Sequence, residues 1–249
     1  MKSPLVLAMV SCFSALQLQA QESLENTFNK YGFTCEVVSD GFATSYIFRR
    51  SKLDRDEVIW LYQTTHTNGQ YKAFVEFGIP KAQITFHKVE EVLGSPAHDP
   101  YGNPTIHSDC FQQMLDNNTG LNMKNYMLAV NTEEEKMYFI SYLQQFYEAC
   151  AKPFYQQYTT LEAVDCRLSD LKDKDARTLI GHSGDNSTIH RMLAIKALAG
   201  NPGARDYYEY LKKGLLKLKD KSVTYADMYD RLVKVAERLE LNQPPLFPL

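Results

Sequence analysis

Through the first half of the chain polar and apolar residues alternate with a period of two, and after residue 130 the period becomes helical. Thr34 to Ser39 and Phe42 to Arg49 flank Asp40-Gly41, and in the second of these stretches Phe42, Thr44, Tyr46 and Phe48 alternate with Ala43, Ser45 and Ile47. A polar connection, Lys52 to Asp56, leads to Glu57 to Thr65, where Val58, Trp60 and Tyr62 alternate with Ile59 and Leu61. Asn68-Gly69 then precedes Tyr71, Ala73, Val75 and Phe77, interleaved with Lys72, Phe74 and Glu76. Alternation of this kind marks half-buried strands, and Asp-Gly and Asn-Gly supply the positive φ angles that tight hairpins need. The four segments predict an antiparallel meander.

Ala82 to Leu93 carries both signals. Gln83-Ile84-Thr85-Phe86 has strand composition, whereas Ala82, Phe86, Val89 and Leu93 fit a helical stripe ended by Gly94, so a fifth strand running into a helical turn is expected. His98 to Thr105 reads as a loop broken by Pro100, Gly102 and Pro104, and Tyr126 to Val130 as one more short strand.

From Asn131 onward, Thr132 with Glu135 forms a capping box, followed by the stripe Phe139, Leu143, Phe146 and Cys150 before Pro153. A second helix opens at Ser187 and runs to Gly200. Its apolar residues Ile189, Met192, Leu193, Ile195 and Leu198 go most of the way round, which predicts a central position. A third places Tyr208, Leu211, Leu215 and Leu218 on one face; a fourth starts with Thr224 and Asp227 and buries Met228, Leu232, Val235 and Leu239. Thr188 to Leu218 resembles a single HEAT-like helical pair, and one copy of so loose a pattern reads as an ordinary helical hairpin. The expected class is α+β: an N-terminal antiparallel β-meander over residues 21–130 and a C-terminal helical bundle over 131–249, disulfide-bonded and packed as one compact domain.

Residues 1–20 read as an export signal. Lys2 is followed by an apolar run from Leu5 to Leu16, and Leu18-Gln19-Ala20 before Gln21 offers a cleavage site. The run is too short to span a bilayer, for which about 20 apolar residues are needed, so a soluble mature chain in the periplasm or outside the cell is expected. A second processing pattern, Met9-Val10-Ser11-Cys12, would lipidate Cys12 and tether the chain. The chain carries a formal net charge of −3, and loss of Lys2 with the signal makes it one charge more acidic. That balance argues against nucleic acid or an anionic membrane as partner, since both select a basic footprint.

Without Cys12 the cysteines are Cys35, Cys110, Cys150 and Cys166, an even set that reads as two disulfides in an oxidising compartment. Near-neighbour pairing favours Cys150 with Cys166 and Cys35 with Cys110. Neither C-x-x-C spacing nor interleaved histidines support a zinc site instead.

Candidate chemistry is sparse. Thr178 to Asp185, containing Gly181-His182-Ser183-Gly184, resembles the strand-turn-helix nucleophile elbow of α/β-hydrolases, with Ser183 in the nucleophile position. Asp185 stands where that motif has glycine, and the only downstream histidine, His190, lies inside the following helix; the segment is read as a Gly-rich loop ahead of a capped helix. His98, Asp99, His107 and Asp109 bracket the long loop in a spacing that matches no recognised metal motif. Lys212, Lys213, Lys217, Lys219 and Lys221 form a basic run, read as the wet side of an amphipathic helix, with steering of an acidic partner as the alternative. Tyrosines gather at Tyr138, Tyr142, Tyr147, Tyr155 and Tyr158 and again at Tyr207, Tyr208 and Tyr210; Tyr138 and Tyr142 lie off the apolar stripe, where such side chains suit a protein interface and equally suit core packing with the hydroxyl reaching solvent. The expectation is an exported protein-binding module, a periplasmic partner or an inhibitor or immunity-type protein acting by occlusion, with another protein as partner and without a cofactor. The alternative is an exported hydrolase using Ser183 or a His98/His107 site.

Overall fold

The computed structural model describes residues 27–39, 41, 43–68, 72–95, 104–108, 127–171, 173–180 and 188–242. The strands are β1 (Thr34–Ser39), β2 (Ala43–Ser51), β3 (Arg55–Asn68), β4 (Lys72–Gly78), β5 (Lys81–Phe86), β6 (Ile106–His107) and β7 (Met127–Ala129). The helices are α1 (His87–Leu93), α2 (Glu133–Phe146), α3 (Lys152–Gln157), α4 (Leu161–Asp170), α5 (Asp173–Ile180), α6 (Thr188–Leu198), α7 (Ala204–Leu216) and α8 (Val223–Arg238). The fold is α+β, an antiparallel sheet of N-terminal strands followed by C-terminal helices. The sheet order is β1-β2-β3-β4-β7, and β5 pairs with β3 and with β6. The meander is therefore present as read. Gly41, at φ +91°, makes the reversal between β1 and β2, which pair from Thr34 opposite Arg49 to Ser39 opposite Thr44.

The chain divides into two compact units made of interleaved segments. One comprises Met1–Arg50, Val58–Ala82 and Cys110–Lys152; the other comprises Ser51–Glu57, Gln83–Asp109 and Pro153–Leu249. In the first, the buried face of the sheet meets the apolar stripe of α2. Phe77 stacks on Phe139 with ring centroids 4.5 Å apart and touches Tyr46 on its other side, while Phe48 packs on Phe28 at 4.6 Å. The capping box forms as the sequence predicts: Glu135 N–H donates to Thr132 Oγ1, and Glu135 Oε2 accepts from the amides of Asn131 and Thr132. Those two amides hold the Glu135 carboxyl below its ordinary range.

Pro153 does not end this helix. The chain passes from α2 through a π-helical turn, Tyr147–Ala151, in which Lys152 N–H bonds to Tyr147 O, and continues as α3. Proline lacks the N–H that the carbonyl four residues earlier would accept, and in a helix's first turn that loss is tolerated; a wider turn ahead of it keeps the backbone helical.

In the second unit α6 is the hub, in contact with α1, α4, α5, α7 and α8. Its central position matches the apolar pattern, but the face it buries does not. Leu193, Ala194 and Ile195 are buried together with His190 and Arg191, whereas Ile189, Met192 and Leu198 are only half-buried. The ambiguous segment resolves as strand then helix, β5 into α1, with Gly94 at φ +70° closing the helix through Gly94 N–H to Glu91 O and Ser95 N–H to Glu90 O. The helix α8 starts one step earlier than read, because Ser222 caps it by accepting from Tyr225 N–H. No helix is read from sequence between Pro153 and Ser187, yet α3, α4 and α5 form there. Each is ten residues or shorter, so none completes enough turns to set a period.

Candidate functional site

Of the residues singled out for chemistry, Ser183, His98, Asp99, Asp109, Cys110 and Cys12 lie outside the described residues, as do the export segment 1–20 and the tail from Pro244. Thr178, Leu179 and Ile180 belong to the last turn of α5. The chain therefore enters the Gly-His-Ser segment from a helix, where the hydrolase elbow requires a strand. His190 is buried, and its Nε2 donates to Met228 O at 2.9 Å, which ties the ring to the packing of α6 against α8. His107 sits on β6 opposite Gln83. Among the described residues no three His, Cys, Asp or Glu side chains are grouped to hold a metal ion.

The cysteine expectation needs correction. No disulfide joins two described residues. Cys35 is a thiol on β1 whose Sγ donates to Glu36 O, and Cys166 is a thiol on the exposed side of α4. Cys150 is disulfide-bonded and fully buried, with its partner outside the described residues. The pairs Cys150–Cys166 and Cys35–Cys110 are thus not made. Sequence proximity favours closure only when both side chains can face one another, and a sulfur on the wet side of a helix does not meet one in a core.

The most concentrated polar chemistry lies where β5 becomes α1. Arg191 on α6 directs Nε to Glu90 Oε1 and Nη2 to Glu90 Oε2, each at 3.2 Å, with side chains 1% and 3% exposed. Thr105 Oγ1 donates to Glu90 Oε1 at 3.0 Å and accepts from Phe86 N–H at 2.9 Å. Beside it, His87 N–H bonds to Asp54 O, and His87 Nε2 lies 3.4 Å from Oδ1 of the buried Asp56. Arg55 joins the same strand end to Glu57 and to Thr159 O. The short helix has no side-chain cap at Phe86, so Thr105 Oγ1 and Asp54 O take the amides of Phe86 and His87. A bidentate pair with both carboxylate oxygens matched is a fixing device. Nothing local in the sequence marks it, since Glu90 and Arg191 stand a hundred residues apart on two different apolar stripes.

In the other unit, Arg50 Nη1 donates to Tyr31 O and to Tyr147 Oη, Tyr31 stacks on Tyr147 at 3.9 Å, and the guanidinium lies over Phe33. Tyr142, read as suited equally to an interface or to the core, is 5% exposed. Burial pushes its phenol up to about 12, and its hydroxyl has no hydrogen-bond partner among the described residues.

No protein-family model, curated protein or solved structure matches this chain.

Two surface groups remain. On α2, Met137 and Tyr138 are exposed, one turn after the exposed Glu133 and Glu134. Tyr210 is exposed in the middle of α7, and at the connection from α7 to α8 Leu216, Val223 and Tyr225 are exposed, Val223 to 77%. The lysine run lies here and is divided in its use. Lys212 sits over the Tyr208 ring and Lys219 over the Tyr229 ring, 5.2 and 5.4 Å from their centroids, while Lys213, Lys217 and Lys221 are exposed and carry no ion pair with a described residue. The tyrosine clusters sort the same way, with Tyr138 and Tyr210 outside and Tyr147, Tyr155, Tyr158 and Tyr208 in the cores.

Proposed function

We propose that this chain is an exported protein-binding module, acting as a periplasmic or extracellular partner that occludes a surface of another protein. Export rests on the pattern of residues 1–20. Binding rests on one observation: four large apolar side chains stand exposed between residues 210 and 225, in a stretch where Lys213, Lys217 and Lys221 carry no ion pair with a described residue. Large apolar side chains left in solvent beside charge are the usual material of a recognition face, and tyrosine gives contact area at low conformational cost.

Affinity capture from the envelope and medium of the exporting cell tests this reading. A partner captured in stoichiometric amount, and bound at least about tenfold more weakly after Y210S/V223S, which is some 1.4 kcal/mol, supports it. Absence of a stoichiometric partner, or a partner indifferent to the substitutions, refutes it.

A further inference from the structure

We infer that the partner of this surface includes a second copy of the same chain: the start of α2 in one copy docks on the α7–α8 connection of another, head to tail. This rests on the protein-binding reading above and names a partner for it.

The two surfaces are chemical complements. At the start of α2, Glu135 is turned back onto its own helix end and Lys136 lies 3.4 Å from Glu133, while the exposed Glu134 has no ion pair with a described residue. Met137, 65% exposed, and Tyr138 follow on the same outward side. At the α7–α8 connection the order of signs is reversed. Leu216 and Val223 are bordered by Lys213, Lys217 and Lys221, in a chain whose net charge is −3. Each surface is an apolar pair among charges that lean to one sign, acid at the start of α2 and base at the α7–α8 connection, where Asp220 is the minority charge. Such a match steers encounter and fixes register, while like surfaces repel. Because the two faces are different, the contact is heterologous, and repetition gives a ring or a chain of copies. The small number of side chains involved predicts weak association, with Kd between roughly 1 μM and 1 mM, and sensitivity to salt. An anionic bilayer is a poorer fit, because the whole chain is acidic.

Sedimentation velocity of the full chain, from about 10 μM to near-millimolar concentration, decides the matter. The expected result is a sedimentation coefficient that rises with concentration at low salt and stops rising near 1 M salt, where screening acts within about 3 Å. Either K217E/K221E or E133K/E134K alone gives a monomer, and an equimolar mixture of the two variants associates again, since each supplies the surface the other lacks. M137S/Y138S, which leaves the charges and the helix end intact, weakens association as well. A chain monomeric throughout, association that survives either reversal, or reversals that the mixture does not rescue overturns the proposal. So does binding to anionic vesicles by a monomer that K217E/K221E abolishes, which would assign the lysines to lipid. If the chain stays monomeric but binds a foreign protein through these lysines, only the self-pairing falls; if it binds neither, both readings fall.

Discussion

Arg191 and Glu90 form a two-point ion pair sealed in the helical core, both contacts at 3.2 Å. Breaking such a pair from one side strands a buried charge, which costs about 3–5 kcal/mol, whereas replacing both members with apolar residues is often neutral. Arg191→Met or Glu90→Leu alone is therefore expected to lower the urea midpoint steeply, and the double variant to recover most of the loss. Thr105→Val removes one donor from the same carboxylate and is expected to cost about 1–3 kcal/mol.

Tyr142 carries the opposite imbalance, a hydroxyl brought inside without a partner among the described residues. Tyr142→Phe is expected to raise stability at neutral pH by about 1 kcal/mol, the lower end of the cost of an unsatisfied buried group. Burial pushes both Tyr46 and Tyr142 up to about 12. With the folded values above the unfolded one near 10, stability is intact below pH 10 and falls as the pH rises towards 12, because the unfolded chain loses its protons first. Denaturation profiles between pH 9 and 12 should flatten in Tyr142→Phe, and in Tyr46→Phe as well.

How far the sequence carries depends on the range of the interaction. The β1–β4 meander, the β5–α1 passage and the Thr132 cap were legible because alternation, an Asp-Gly turn and a three-residue spacing are local signals. The burial of Arg191 and His190 on α6 was not. Helical periodicity counts both as polar, and only a partner on a distant segment, Glu90 for one and Met228 for the other, makes the interior acceptable to them. Tyr142 is undecided by sequence for a related reason: the stripe of α2 is wider than the four residues that define it, and Tyr142 falls at its margin, where the structure buries it. Glu135 reads as part of a cap and Tyr138 as an interface candidate separately, since sequence spacing does not say which side chains share an outward face.

Two helix ends predict effects of opposite sign. Glu240 sits at φ +56° as the left-handed residue closing α8, with Leu241 N–H on Ala236 O and Glu240 N–H on Glu237 O. Glu240→Gly is expected to stabilise by about 0.5–1 kcal/mol, relieving a conformation that costs other residues about 1–2 kcal/mol. Gly94 occupies the equivalent place on α1, and a Cβ there would come 2.9 Å from Arg238 Nη1, which donates to Val92 O. Gly94→Ala is expected to lower the melting temperature both through its backbone and by displacing that arginine.

Thiol chemistry checks the cysteine assignment. Under native conditions an alkylating reagent should modify Cys166 rapidly, as an exposed thiol, and leave Cys150 untouched until a reductant is added. Peptide mass mapping before and after reduction reads both.

The interleaving of the two units bears on how the polypeptide is made. The first unit needs residues up to Lys152 and the second already holds Ser51–Glu57 and Gln83–Asp109, so neither can finish while only the sheet-rich stretch has been synthesised. A cut at 130, where the periodicity changes, removes essential chain from both. Folding is thereby deferred until most of the polypeptide has emerged.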